Sequence, residues 1–180
     1  MMDKTTTMRM IAGFFLVCLL IGCGGSNSGS TASDNSDGST IDPTLINPSS
    51  IETFETGSGD ICREDDKPVI RLFSTTWCPH CVWIADTYDA VVKMYVEEGA
   101  IVAHHWEVDT GDDTLTLQDE GGVPGSEMAI FNDFNSQESI PTFVFGCKYY
   151  RIGNGHEQED DLEAEAAEFM AVIEALLNEP

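Results

Sequence analysis

Trp77-Cys78-Pro79-His80-Cys81 constrains the fold of this chain more than any other stretch. It sets two thiols with two residues between them, directly after an apolar, β-like run, Val69-Ile70-Arg71-Leu72-Phe73. From Cys78 onward the apolar positions change period. Cys81, Ile84/Ala85, Tyr88, Val91/Val92 and Tyr95 recur at i, i+3/i+4, the spacing of a helix with one buried face. A strand therefore hands over to a helix at the cysteines. A thiol at a helix start lies among unpaired N–H groups and at the positive end of the dipole, and both favour the thiolate. Two cysteines at this spacing can close a small disulfide ring reversibly, or they can be half of a zinc site. The surroundings decide.

Those surroundings read as alternating strands and helices. Lys67–Ser74 is a buried strand, and Gly99 stops the helix that follows it. Ala100–Val108 is a second strand, so the three elements form a βαβ unit with a right-handed crossover. The span 110–139 is polar and turn-rich apart from a short helix over 126–134, with Ser126 as its cap. Ile140-Pro141-Thr142-Phe143-Val144-Phe145 is a strand that begins at a proline. Gly146-Cys147-Lys148 turns the chain into a second strand, Tyr149–Ile152, giving an antiparallel hairpin. The span 161–178 closes the chain as an amphipathic helix with Leu162, Ala166, Phe169, Val172/Ile173 and Leu176 inward.

This order resembles the thioredoxin fold over about residues 66–178, a three-layer α/β/α architecture with a central mixed sheet and a cis-proline hairpin. Trp77 directly before Cys78, the Ile140-Pro141-Thr142 loop and the Tyr149-Tyr150-Arg151-Ile152-Gly153 strand each match the family separately. The first β-α unit of a full thioredoxin is not evident in the sequence. The resemblance implies a thiol–disulfide oxidoreductase that needs no cofactor and no metal and oxidises or isomerises protein disulfides; a tethered thioredoxin-like reductase, or a non-catalytic binding module of the same fold, are the alternatives. It implies that Cys78 is the exposed nucleophile and Cys81 the buried resolving thiol, with Pro141 in cis facing them. Trp77, Ile140 and Thr142 then bind the client. Pro79-His80 between the cysteines matches Dsb-type oxidants, whereas reducing thioredoxins carry Gly-Pro. A hydrogen bond or charge from His80 to the Cys78 thiolate stabilises the reduced form and makes the disulfide a stronger oxidant. One position departs from the pattern. Leu72, six residues before the nucleophile, stands where thioredoxins keep a buried acid, and the match leaves Cys81 without a proton acceptor other than Glu107 or water.

The N-terminus has a different character. Lys4 and Arg9 precede an apolar run, Met10–Ile21, which is too short to span a bilayer as a helix of about 20 residues. It reads as a signal-peptide core; a plain secretory signal or a short membrane anchor are the alternatives. Leu20-Ile21-Gly22-Cys23 resembles the lipobox of prokaryotic lipoproteins, which implies cleavage before Cys23, a lipid on its sulfur and an extracytoplasmic protein held on a membrane. Residues 1–22 are then the signal, 23–60 a linker and 61–180 the thioredoxin-like domain. The linker is rich in Gly, Ser, Asn, Thr and Asp and cannot bury enough surface to offset its ordering entropy. About 36 residues of such coil reach roughly 30–36 Å. Ile41, Leu45, Ile46, Ile51 and Phe54 are sparse apolar exceptions suited to docking on the domain.

Loss of the signal removes Asp3, Lys4 and Arg9 and leaves 31 acids against 6 bases. That balance excludes nucleic acid as a partner, because phosphate binding needs clustered Lys and Arg. The lipid is then the contact with the membrane; the other partners are client proteins with thiols or disulfides and a membrane redox partner. Cys62 and Cys147 remain after Cys18 and Cys23 are set aside. The strand after Pro141 runs antiparallel to Val69–Ser74, which brings Cys147 toward Cys62, and an oxidising compartment favours a bridge between them. Two free thiols, or a shuttle with the active pair, are the alternatives. His104 and His105 point to opposite faces of one strand and cannot share a site. His156 reads as surface, the acidic run Glu157–Glu168 as a solvated start to the last helix, and Trp83 and Trp106 as packing or surface aromatics.

Overall fold

The computed structural model describes residues 41–180, so the signal-like segment, Cys23 and the linker to residue 40 lie outside the described residues. The strands are β1 (Glu55–Thr56), β2 (Arg63–Glu64), β3 (Lys67–Ser74), β4 (Val102–Glu107), β5 (Asp112–Asp113), β6 (Thr142–Phe145) and β7 (Tyr149–Ile152). The helices are α1 (Pro79–Glu97), α2 (Gly125–Phe134) and α3 (Leu162–Asn178). The sheet runs β1-β7-β6-β3-β4-β5, with β2 paired to the start of β3. β3 lies parallel to β4, the two joined through α1, and antiparallel to β6. The result is a thioredoxin-like mixed α/β fold.

β3 is central because both of its faces are apolar. Ile70 and Leu72 point into a core with Ile84, Tyr88, Phe143 and Phe169, beneath α1 and α3. Phe73 points the other way, into a smaller core with Trp106, Phe131 and Val144 beneath α2. Arg71 shares that second face and makes two hydrogen bonds to Glu127 of α2, at 2.6 and 3.0 Å. Since β3 ends at Ser74 and α1 begins at Pro79, this well-packed strand fixes where the cysteines sit.

The folded body starts earlier than residue 61. Ile41, Ile46 and Ile51 pack on the larger core and Phe54 is buried within it. β1 pairs with β7, and the Ser49 amide donates to the Ala167 carbonyl at 3.1 Å. Four apolar side chains spaced through 41–54 thus supply what the surrounding polar composition lacks. The same segment corrects the reading of the acidic run. Glu165 and Glu168 are 0% and 1% exposed because their helical phase matches that of Leu162 and Phe169. Arg151 stands between them, donating to Glu165 at 2.5 Å and to Glu168 at 3.3 Å, with its guanidinium over the rings of Phe54, Phe143 and Phe169. Glu168 also accepts from the amides of Glu52 and Thr53, each at 2.6 Å, clamping the 41–54 segment to α3. Burial raises the pKa of Glu168, but its bonds to Thr53 and Glu52 and the Arg151 charge bring it below the usual carboxylate value.

Gly155 is required here, since a Cβ would come within 2.4 Å of Arg151 Nη1. His156 is partly buried rather than plain surface, with Nε2 at 3.2 Å from Glu168. α2 also differs in its start: Pro124 occupies the cap position and no side chain caps the helix, so Ser126 is its second residue. Among the described residues no helix is long and apolar enough to cross a membrane.

Candidate active site

Cys78 caps α1 and Pro79 is its first residue. Proline suits that position because its missing N–H would be unpaired there and its fixed φ is already helical. The Cys81 amide donates to Cys78 Sγ at 3.4 Å. This contact draws the Cys78 sulfur back into the first turn, so Cys78, like Cys81, is buried (4% and 1% exposed). The exposed nucleophile implied by the family resemblance is thus a covered one. Trp77 beside it is 72% exposed. Both thiols are free. Burial pushes the Cys81 thiol up to about 12, helped by the neighbouring Cys78 sulfur and opposed by the amide and hydroxyl of Thr75.

The Ile140–Pro141 bond is cis. Thr142 pairs with Phe73, which sets Pro141 at the level of Ser74, the end of β3 from which the chain runs to Cys78. Asn135 holds this loop. It is fully buried, and its Nδ2 donates to Thr142 Oγ1 at 2.7 Å and to the Ser139 carbonyl. Thr142 Oγ1 in turn donates to Ser139 O at 2.7 Å, and the Gly153 amide donates to Pro141 O at 2.8 Å. Thr142 is buried and Ile140 partly so; Thr142 therefore braces the loop from within and presents no surface to a client.

His80 is engaged elsewhere than at Cys78. Its Nδ1 lies 2.6 Å from Glu157 Oε1, and Asn154 Nδ2 donates both to the His80 carbonyl at 2.9 Å and to Glu157 Oε2 at 2.8 Å. The loop after β7 thus grips the first turn of α1, reinforced by Trp83 Nε1 donating to Asp160 at 2.9 Å. On the other flank, Asp109 accepts from the Thr76 amide and hydroxyl at 3.1 and 2.6 Å, bonds that hold its carboxyl below the usual range.

Cys62 and Cys147 are joined by a disulfide across 85 residues, with their Cα atoms 5.3 Å apart. It lies at the opposite end of β3 from Cys78. The Cys62 amide donates to Gly146 O and the Gly146 amide to Val69 O, both at 2.8 Å. Leu72 is fully buried in the apolar core, and Glu107 accepts from the Thr110 hydroxyl at 3.1 Å. His104 and His105 point to opposite faces. His104 meets Asp113 at 2.7 Å and stacks on Trp106, while His105 meets Asp89 and Ser74. Asn135, Glu157, Asn154 and Thr75 carry no sequence signal of their own, since each acts through a loop conformation.

A thioredoxin-like sheet with paired thiols at the start of its central helix and a cis-proline at the same end defines a class of redox scaffold. No protein-family model matches the chain. Among curated proteins it is 28% identical over 94 residues to the protein disulfide-isomerase tigA of Aspergillus niger, a stretch covering 52% of this chain and 26% of that relative. The matched part is therefore about a quarter of the relative's length. This distant similarity accords with the thioredoxin-like fold.

Proposed function

We propose that this chain is a membrane-tethered, extracytoplasmic protein thiol–disulfide oxidoreductase that works through Cys78 and Cys81 and oxidises or isomerises client disulfides. The observation that carries this reading is the pair of free thiols in the first turn of α1, at the sheet end where Pro141 is cis. In the oxidising direction a client thiolate attacks Cys78 Sγ of the Cys78–Cys81 disulfide, and Cys81 leaves as a thiolate. A second client thiolate then displaces Cys78, which leaves as a thiolate while the client disulfide forms. A membrane redox partner restores the Cys78–Cys81 bond. Because the Cys78 sulfur is turned inward, engaging a client requires the thiol to swing out of the first turn. Exposed Trp77 and the partly buried Ile140 offer apolar surface beside it.

Cleavage before Cys23 and a lipid on its sulfur tether the domain. Labelling with a radioactive fatty acid tests this, and label retained by Cys23→Ala would contradict it. A reducing role is the second reading. It is favoured by the bond from His80 to Glu157, which occupies a ring nitrogen that would otherwise be available to Cys78. Oxidative refolding of a reduced client, set beside reduction of an oxidised one, separates the two. The proposal expects the first to be the faster and both to be lost in Cys78→Ser. Refolding activity that survives Cys78→Ser would overturn it.

A further inference from the structure

The loop after β7 holds a particular atom of His80, and the choice of atom matters to Cys78. His80 is the second residue of α1, two positions after Cys78. Its side chain is 61% exposed, so burial does not fix the ring; the Glu157 contact does. Nδ1 lies 2.6 Å from Glu157 Oε1. A carboxylate accepts but does not donate, so Nδ1 is the donor. The two ring nitrogens are distinct, and Nδ1 is the one nearer the backbone of the first turn. Engaged by Glu157, it has no hydrogen bond left to give to the Cys78 sulfur, which accepts from the Cys81 amide instead. Glu157 is not free to follow the ring. Asn154 Nδ2 donates to its other oxygen at 2.8 Å and to the His80 carbonyl at 2.9 Å. The amides of Gly155 and His156 donate to Glu165 at 2.6 and 2.8 Å, and Glu165 is fully buried on α3. The loop is thus moored to α3, and the His80 ring is moored to the loop.

We propose that Glu157, a residue outside the Cys-Pro-His-Cys motif, sets the reduction potential of the Cys78–Cys81 pair by restraining His80. This rests on the exchange reading above. When the pair oxidises a client, two client thiols give up two electrons and two protons as their disulfide forms. The Cys78–Cys81 bond takes up the two electrons and breaks. Cys81, whose thiol burial pushes up to about 12, keeps one proton; the other goes to solvent as Cys78 is left a thiolate. A donor or positive charge near that thiolate stabilises the reduced pair and makes the disulfide a stronger oxidant. His80 supplies part of this from the first turn of α1, and Glu157 withholds the rest by engaging its Nδ1–H. The pair is thereby held below the potential that Pro79-His80 alone would give it. Glu157 acts through His80, so it is a positioning residue.

Redox titration of the full chain against glutathione, with Cys78 and Cys81 read by alkylation and peptide mass, tests this. Glu157→Ala is expected to make the pair more oxidising by about tenfold in the exchange constant, or about 30 mV. Glu157→Gln keeps an amide oxygen that accepts from Nδ1 and should stay close to the unaltered chain. In a His80→Ala background, Glu157→Ala should have no further effect. Asn154→Ala releases Glu157 from its second hold and should move the potential the same way by less; it decides the matter if Glu157→Ala does not fold. No shift in the folded variants would overturn the proposal. So would an equal shift with and without His80, because the Glu157 charge would then act on the sulfur directly. Failure of the unaltered chain to exchange with glutathione at all would overturn the exchange reading and the tuning with it.

Discussion

The chain carries two cysteine pairs at opposite ends of β3, and they live under different rules. Cys62 and Cys147 are bonded across 85 residues, fixed on both sides by backbone hydrogen bonds among Cys62, Gly146 and Val69. Cys78 and Cys81 are three residues apart, free, and set in a helix turn gripped by side chains from two loops. The first pair ties distant segments together, and its value comes from the length of chain it closes. The second closes almost nothing, so its bond is governed by the stability of the sulfurs as thiol and thiolate. Sulfur bonded between rigid strands is a staple, whereas the proposed exchange asks the sulfurs at the helix start to open and close.

Replacing one member of each pair should separate these roles most sharply. Cys78→Ser is expected to reduce disulfide exchange with a client to background while leaving the denaturant midpoint nearly unchanged. Exchange that persists would break the comparison at its reactive end. The Cys62→Ser/Cys147→Ser double variant should do the reverse. Closing a loop of this length contributes about 4 to 5 kcal/mol in the chain-entropy model, so a chemical-denaturation series should show a loss of that order, with exchange per folded molecule retained. A stability change under 1 kcal/mol, taken as roughly the noise between surface substitutions, would mean the staple is not what holds that end.

His80→Ala should move the Cys78–Cys81 potential in the reducing direction by about 30 mV, tenfold in the exchange constant, as read by equilibration with glutathione. No movement would make the Glu157 contact the whole of its role. The smallest effect concerns Cys81 in the reduced protein. Its thiol keeps its proton to about 12 in the folded chain against an ordinary value of 9.0. The folded state therefore binds the extra proton between those values, and this stabilisation is complete below 9.0 and lost as pH rises toward 12. Reduced protein should lose stability over that range by more than the Cys81→Ser variant does, as followed by thermal melts.

Much of this was legible in the sequence, and what was hidden follows a pattern. β3, β4, β6, β7, α1 and α3 announce themselves because each is long enough to display a period, and the cysteines and Pro141 stand out as residue types. β1, β2 and β5 are two residues each, too short for any periodicity, and exist because a neighbouring strand offers unpaired backbone. The 41–54 segment was masked by polar neighbours, although its four anchoring side chains were visible. Glu165 and Glu168 were misjudged for a related reason. A run of acids reads as solvated unless helical phase is followed through it, and the partner that makes burial tolerable, Arg151, lies on another element. Asn135 and Glu157 brace the Pro141 loop and the first turn of α1 through contacts made only once loops and helices are in place.

The most direct test of the contrast between the two pairs is a redox titration of the full chain against glutathione, with the state of each cysteine read by alkylation and peptide mass. The account predicts that Cys78 and Cys81 switch together at a potential well above the value of about −270 mV typical of thioredoxin, while Cys62–Cys147 stays oxidised throughout. A Cys78–Cys81 midpoint at the thioredoxin value, or reduction of both pairs over the same range, would contradict it.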